Sequence, residues 1–276
     1  MCGRFAEYTS ADDLLEAYGA AEASEAARDR PPSYNVAPTD PVRIVIDRPA
    51  DTDATPAADA DADADAADEA TAATDAAARP RRELHLARWG LVPSWSRSLT
   101  TKGAPLFNAR IETVAEKPAF RASLRARRCL VPADGYYEWR RNDRSDDAAV
   151  QAAVRAGTMP ARTPFYITEA SGSTLAFAGL YGWWRDPSRA EDDPERWVLS
   201  TTILTQPARD GLETIHDREP VVLARDAIGA WLDSRVRAAD EALGVLAEPG
   251  PPLEWYEVGP RVGSVRNDDP GLIHRV

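Results

Sequence analysis

The residue with the most distinctive chemistry in this sequence is Cys2, in Met1-Cys2-Gly3-Arg4. Its side chain is small, so removal of Met1 by an aminopeptidase is expected. That would leave a free α-amine and a thiol on one residue. A 1,2-aminothiol does what no internal cysteine can. The amine attacks an aldehyde to form a Schiff base, and the thiol closes a five-membered thiazolidine ring. The amine titrates near pH ~8 and the thiol near ~8.5, so both nucleophiles are partly available at neutral pH. Gly3 leaves the backbone room to bend, and Arg4 supplies a fixed positive charge. The other reading of Cys2 is an accident of the N-terminus.

Two residues elsewhere could move protons for such a reaction. Glu138 lies in Tyr136-Tyr137-Glu138-Trp139. A carboxyl in an apolar pocket has a raised pKa and exchanges protons near neutrality. The alternative is an outward-facing carboxylate on an edge strand. His216, in Ile215-His216-Asp217-Arg218-Glu219-Pro220, titrates near physiological pH. The alternative is a loop histidine bonded to Asp217. His85 and His274 read as structural. Asn35, Asn108 and Arg110 sit in turn-like contexts, where Asn can simply serve geometry.

The elements that must position these residues are mostly strands. Extended segments are expected at Val42–Ile46, Leu84–Trp89, Cys129–Val131, Tyr136–Trp139, Phe165–Thr168, Thr174–Tyr181, Trp197–Leu204, Val221–Leu223 and Leu253–Val258. Pro132-Ala133-Asp134-Gly135 and Ser171-Gly172-Ser173 read as hairpin turns. A helix capped by Ser10 is expected to run until Pro31-Pro32, with others at Glu112–Ala115 and Asp226–Leu232. Residues Ser33–Thr39 read as a turn-like loop. The fold class is α+β: one β-rich domain, a mostly antiparallel sheet or barrel-like core with peripheral helices.

Composition narrows the function classes. The 276-residue chain is 43% hydrophobic, enough for a core, and no run approaches the roughly 18 apolar residues of a membrane span. No signal segment opens the chain. Cys2 and Cys129 make no disulfide framework, so a cytoplasmic, reduced protein is expected, with Cys129 a buried thiol. The net charge of −12 argues against nucleic-acid binding at face value. Eight of those charges, however, come from ten acids against two arginines between Asp47 and Pro80. That Ala/Asp/Thr run, about 48–80, has no aromatic or large aliphatic residue and reads as a solvated insertion. Residues 142–160 read as a second surface insertion. Lys102 and Lys117 are the only lysines among 33 basic residues, an Arg-rich, acidic balance suited to high salt. There is no Walker loop, dinucleotide fingerprint or metal-ligand spacing, so neither cofactor nor metal is expected.

Seven motifs occur in one order: Met1-Cys2-Gly3-Arg4, Tyr34-Asn35-Val36-Ala37-Pro38-Thr39, Arg88-Trp89-Gly90-Leu91-Val92-Pro93, Asn108-Ala109-Arg110-Ile111-Glu112-Thr113, the run Arg128–Trp139, Phe177-Ala178-Gly179-Leu180-Tyr181, and Ile215–Pro220. Together they resemble the SRAP family of SOS-response-associated peptidases, or abasic-site processing proteins. The resemblance runs from Met1 to about Ile273 and excludes the two insertions. It implies a monomeric sensor of abasic sites in single-stranded DNA. Cys2 would trap the open-chain aldehyde as a thiazolidine crosslink. Glu138 and His216 would carry protons, and Asn35 would hold the sugar and the Cys2 backbone. Arg4, Asn108, Arg110 and Arg218 would grip phosphates. Trp89 and Pro38 would stack where the base is missing. The family name also implies peptidase activity, such as self-removal of Met1. A partner in the replication machinery is left open. Glu219 stands where the family pattern has Met, and its charge is expected to disturb Arg218. Two rivals stand beside this reading: a Cys2 thiol hydrolase and a non-covalent single-strand binder.

Overall fold

Side chains alternate across a strand, and here both faces are apolar. Cys129, Val131 and Ala133 enter one apolar cluster, while Leu130 between them enters another. The same division separates Phe177 from Ala176 and Ala178, and Val42, Ile44 and Ile46 from Val45. Strands of this kind need a layer on each side.

The computed structural model describes residues 2–48, 80–99 and 105–276. The acidic run, apart from its outermost residues, lies outside the described residues, as does Lys102. Thirteen strands are described: β1 (Phe5–Glu7), β2 (Glu22–Ala23), β3 (Ser33–Val36), β4 (Pro41–Arg48), β5 (Arg81–Trp89), β6 (Asn108–Arg110), β7 (Arg128–Ala133), β8 (Gly135–Arg141), β9 (Arg162–Glu169), β10 (Leu175–Arg185), β11 (Trp197–Pro207), β12 (Arg218–Pro220) and β13 (Leu253–Glu257). One sheet runs β13-β9-β8-β1-β3 and the other β12-β11-β10-β7-β4-β5-β2. Parallel pairing of β5 with β11, Ser200 beside Arg88 and Thr201 beside Trp89, closes β11-β10-β7-β4-β5 into a barrel. Most other pairings are antiparallel.

Six α-helices are described: α1 (Ala11–Tyr18), α2 (Glu25–Asp29), α3 (Pro118–Ala126), α4 (Ala148–Arg155), α5 (Ala227–Leu232) and α6 (Ala239–Gly244). Leu14 and Tyr18 of α1, Phe120 and Leu124 of α3, and Ile228 and Trp231 of α5 pack on the outer barrel face with Leu130 and Leu180. The barrel interior, with Trp89, Val131 and Phe177, is continuous with Phe5 and Tyr136 of the five-stranded sheet. The β-rich α+β expectation therefore holds.

Several local expectations do not. The expected hairpins are crossings between sheets. Strand β7 belongs to the barrel and β8 to the five-stranded sheet, with Asp134 and Gly135 at the switch. A Cβ on Gly135 would sit 2.3 Å from the Tyr166 ring, so only glycine allows that approach. Strands β9 and β10 divide between the sheets in the same way. Helix α1 keeps its Ser10 cap but ends at Gly19, in the left-handed conformation at φ 64°, well before Pro31. Residues Ser33–Val36 are strand, not loop. The helix expected at Glu112–Ala115 is a series of turns, and the helix follows at Pro118, where Pro can occupy the first turn. Extended chain comes at Arg218–Pro220, just before the stretch expected. Within residues 142–160, α4 buries no residue.

Candidate functional site

Strand β1 is the device that positions Cys2. It lies between β8 and β3, with Phe5 opposite both Tyr136 and Val36. The Tyr137 amide donates to Arg4 O at 2.9 Å, and the Thr9 amide donates to Asp134 at 3.0 Å. Cys2, three residues upstream of Phe5, is fully buried in the cluster with Phe5, Trp89 and Tyr136. Asn108 Nδ2 donates to Cys2 O at 2.6 Å.

The end of β11 gathers the other segments. Strand β6 pairs with it in parallel, Asn108 beside Ile203 and Arg110 beside Thr205. Strand β12 pairs with it from the other side, Arg218 beside Pro207 and Pro220 beside Thr205. This brings the Asn108 and Arg218 segments to one strand end. His216 leads into β12. Its Nδ1 is 3.0 Å from the Arg218 amide, which requires a bare nitrogen, and 2.9 Å from Asp217 Oδ1, which requires a protonated one. Asp217 thus stands within ion-pair reach of His216, while the hydrogen bond on Nδ1 comes from the Arg218 amide.

Glu138 is only 6% exposed, so the outward-facing alternative fails. It shares the β8 face of Tyr136, toward Cys2. Burial pushes its pKa up, opposed in part by the charge of His216. Burial, with the nearby Glu138 charge, also pushes the Cys2 thiol well above its ordinary value. Glu138 thus feels both Cys2 and His216. A thiol held protonated is poorly prepared as a first nucleophile. It is suited to a second step, after an amine has reacted.

Two buried polar atoms stand out. Among the described residues, Asn108 Oδ1 and Arg218 Nε have no hydrogen-bond partner. Buried polar groups are rarely left so, and these two sit on the strands that flank β11, beside Ile203 and Pro207 respectively.

Other expectations are redistributed. Asn35 is buried, but its Oδ1 accepts from Arg4 Nη1 at 2.7 Å, and its Nδ2 donates to Asn267 O at 2.7 Å and Ser264 O at 3.0 Å. It fastens the C-terminal segment, and Asn108 instead holds the Cys2 backbone. Arg4 is half-buried and also donates to Val262 O at 2.8 Å. Arg110 is exposed and Pro38 half-buried. Trp89 is fully buried, its Nε1 donating to Phe107 O at 2.9 Å and its ring edge-on to Phe5. It builds the core and presents no stacking face. Trp95, later in the same motif loop, is 60% exposed and was missed. Its signal was the Pro93-Ser94 turn before it. Glu219 turns away from Arg218, because neighbours on a strand face opposite sides. Its carboxylate accepts from Gln206 Nε2 and Arg209 Nε, both at 2.8 Å. The acid on Arg218 is Glu112, which was also missed.

Comparison with known proteins shows the family and the fold. The family model described as SOS response associated peptidase (SRAP) matches residues 1–265. The abasic site processing protein YoqW of Bacillus subtilis is 30% identical over 275 residues, covering 99% of each chain. Abasic site processing protein YedK of Escherichia coli is 28% identical, with all of both chains covered. A crystal structure from Bacteroides thetaiotaomicron superposes with a TM-score of 0.66 at 21% identity over all of both chains, which speaks to fold alone. Among the described residues no helix is long and apolar enough to cross a membrane. The chain belongs to the SOS response associated peptidase (SRAP) family.

Proposed function

We propose that this protein captures abasic sites in single-stranded DNA as a covalent thiazolidine through Cys2. The observation that carries the reading is the buried pair Cys2 and Glu138, with the half-buried His216 near enough to act on the Glu138 charge and Asn108 holding the Cys2 carbonyl. The names of the similar proteins in Bacillus and Escherichia point to the same lesion.

The chemistry balances with no added reagent. After Met1 is lost, the α-amine of Cys2 adds to the C1 aldehyde of the ring-opened deoxyribose. The carbinolamine loses one water to give an iminium. The thiol then adds to the C=N bond, forming C–S and returning its proton to solvent or to a side chain. Glu138, its pKa raised by burial, gives a proton to the departing hydroxyl and takes one from the amine. His216 assists at the sugar oxygen. Asn108 anchors the Cys2 backbone, so the nucleophile is held without freezing its amine. Arg4, Arg110 and Arg218 are the candidate phosphate contacts, and Trp95 replaces Trp89 as the candidate stacking surface.

The raised pKa of the buried Cys2 thiol favours a first attack by the amine over a thiol hydrolase, which needs a thiolate or an adjacent base to make one. Cys2→Ala tests the reading on a denaturing gel with abasic oligonucleotide. Expected is loss of the heat- and SDS-stable crosslink, with non-covalent binding of the same oligonucleotide retained. Full stable crosslinking by the Ala variant, without reductant, would remove the thiazolidine mechanism.

A further inference from the structure

Arg218 is already occupied by an acid of its own chain. Its side chain is 10% exposed, and Nη1 and Nη2 fork onto the two carboxylate oxygens of Glu112, the second at 3.0 Å. Nη2 also donates to Thr205 O at 2.7 Å. Both ends of the guanidinium fork are therefore committed. Glu112 itself is 44% exposed, in the turn after β6, and opens to solvent. A carboxylate and a phosphate diester present the same pair of oxygens to this fork. A phosphate cannot take the bidentate position on Arg218 while Glu112 holds it.

We propose that Glu112 is a resident stand-in for a DNA phosphate: it holds the Arg218 fork in the DNA-free protein and is displaced when a backbone phosphate arrives. The inference rests on the single-strand reading above and adds a competing residue to it. The exchange suits a site of this kind. A half-exposed carboxylate gives a weak, replaceable ion pair, so Arg218 is kept oriented at small cost. The hydrogen bond from Arg218, first among several contributions, holds Glu112 below the usual carboxylate range, so the stand-in stays charged at neutral pH. The same fork joins two site segments. Glu112 follows Asn108, which holds the Cys2 carbonyl, and the Arg218 amide meets His216 Nδ1. A phosphate that displaces Glu112 would therefore meet Arg218 between the segments that carry Asn108 and His216.

Glu112→Gln keeps the shape of the side chain and removes its charge. Expected at low salt is an affinity for plain single-stranded DNA about threefold to fivefold higher than wild type, the worth of a surface ion pair no longer broken. The gain should shrink as salt is raised. It should vanish in the Arg218→Gln background, where there is no fork to release. A gain of equal size in that background would show only a general loss of negative charge and would overturn the proposal. So would unchanged or weaker binding by Glu112→Gln, which would make the fork a brace. Wild type that binds no single-stranded DNA at all would instead remove the parent reading.

Discussion

A variant carrying an uncleavable N-terminal extension before Cys2 is expected to form no stable crosslink to abasic DNA. The thiazolidine needs amine and thiol on one residue. Any residue left ahead of Cys2 turns the amine into an amide, whose nitrogen is not a useful nucleophile. The thiol is untouched. The change thus removes the amine alone, where Cys2→Ala removes the thiol alone. Affinity for intact single-stranded DNA should survive if the arginines and aromatics remain in place. A thiol hydrolase keeps its nucleophile through the change, and a simple binder has none to lose. The readout is a denaturing gel of extended and native-start protein, with mass spectrometry confirming each N-terminus. Equal crosslink yields would exclude the α-amine.

The next largest effect belongs to Glu138. Glu138→Gln should slow crosslink formation by roughly 10²-fold or more, the ordinary worth of a positioned proton carrier. Stability should move the other way, and the sign follows from burial. The folded protein raises the Glu138 pKa, so it binds more protons at this group than the unfolded chain does. The carboxyl then stabilises the fold at low pH, and that contribution is lost as pH rises through the folded pKa. Gln has no charge to bury. Relative to wild type, the variant should gain denaturant resistance as pH rises, while its crosslinking rate loses the pH limb due to Glu138. A rate close to wild type, with the pH profile unchanged, would mean that Glu138 handles no proton in the reaction.

The residues that carry this account differ in how far the sequence disclosed them. Local chemistry singled out Cys2 and Glu138, a second-position cysteine and an acid among aromatics, but left each with an alternative, and only the resemblance to a family gave them roles. The strands were legible from alternation, but their partners were not. Asp134-Gly135 has the composition of a hairpin turn, and only long-range pairing shows that β7 and β8 part there into different sheets. Trp95 lies two residues past the motif that holds Trp89. Which one is buried depends on Phe5 and Phe107, far away or across a loop. Asn108 holds the Cys2 backbone expected of Asn35 for the same reason, since hydrogen-bond partners over 100 residues distant decide what each Asn holds. The direction of Glu219 was within reach, because strand neighbours point to opposite faces. Glu112 as the partner of Arg218 was not, since 106 positions separate them and only the pairing of β6 and β12 with β11 closes the gap.

The central claim is a bond between one residue and one lesion. It is tested most directly by the intact mass of wild-type protein after incubation with abasic single-stranded oligonucleotide and denaturation. The account predicts a single adduct equal to the protein without Met1 plus the oligonucleotide, less one water, with the modification mapping to Cys2. A stable adduct that retains Met1, or one that maps to any other residue, would contradict it.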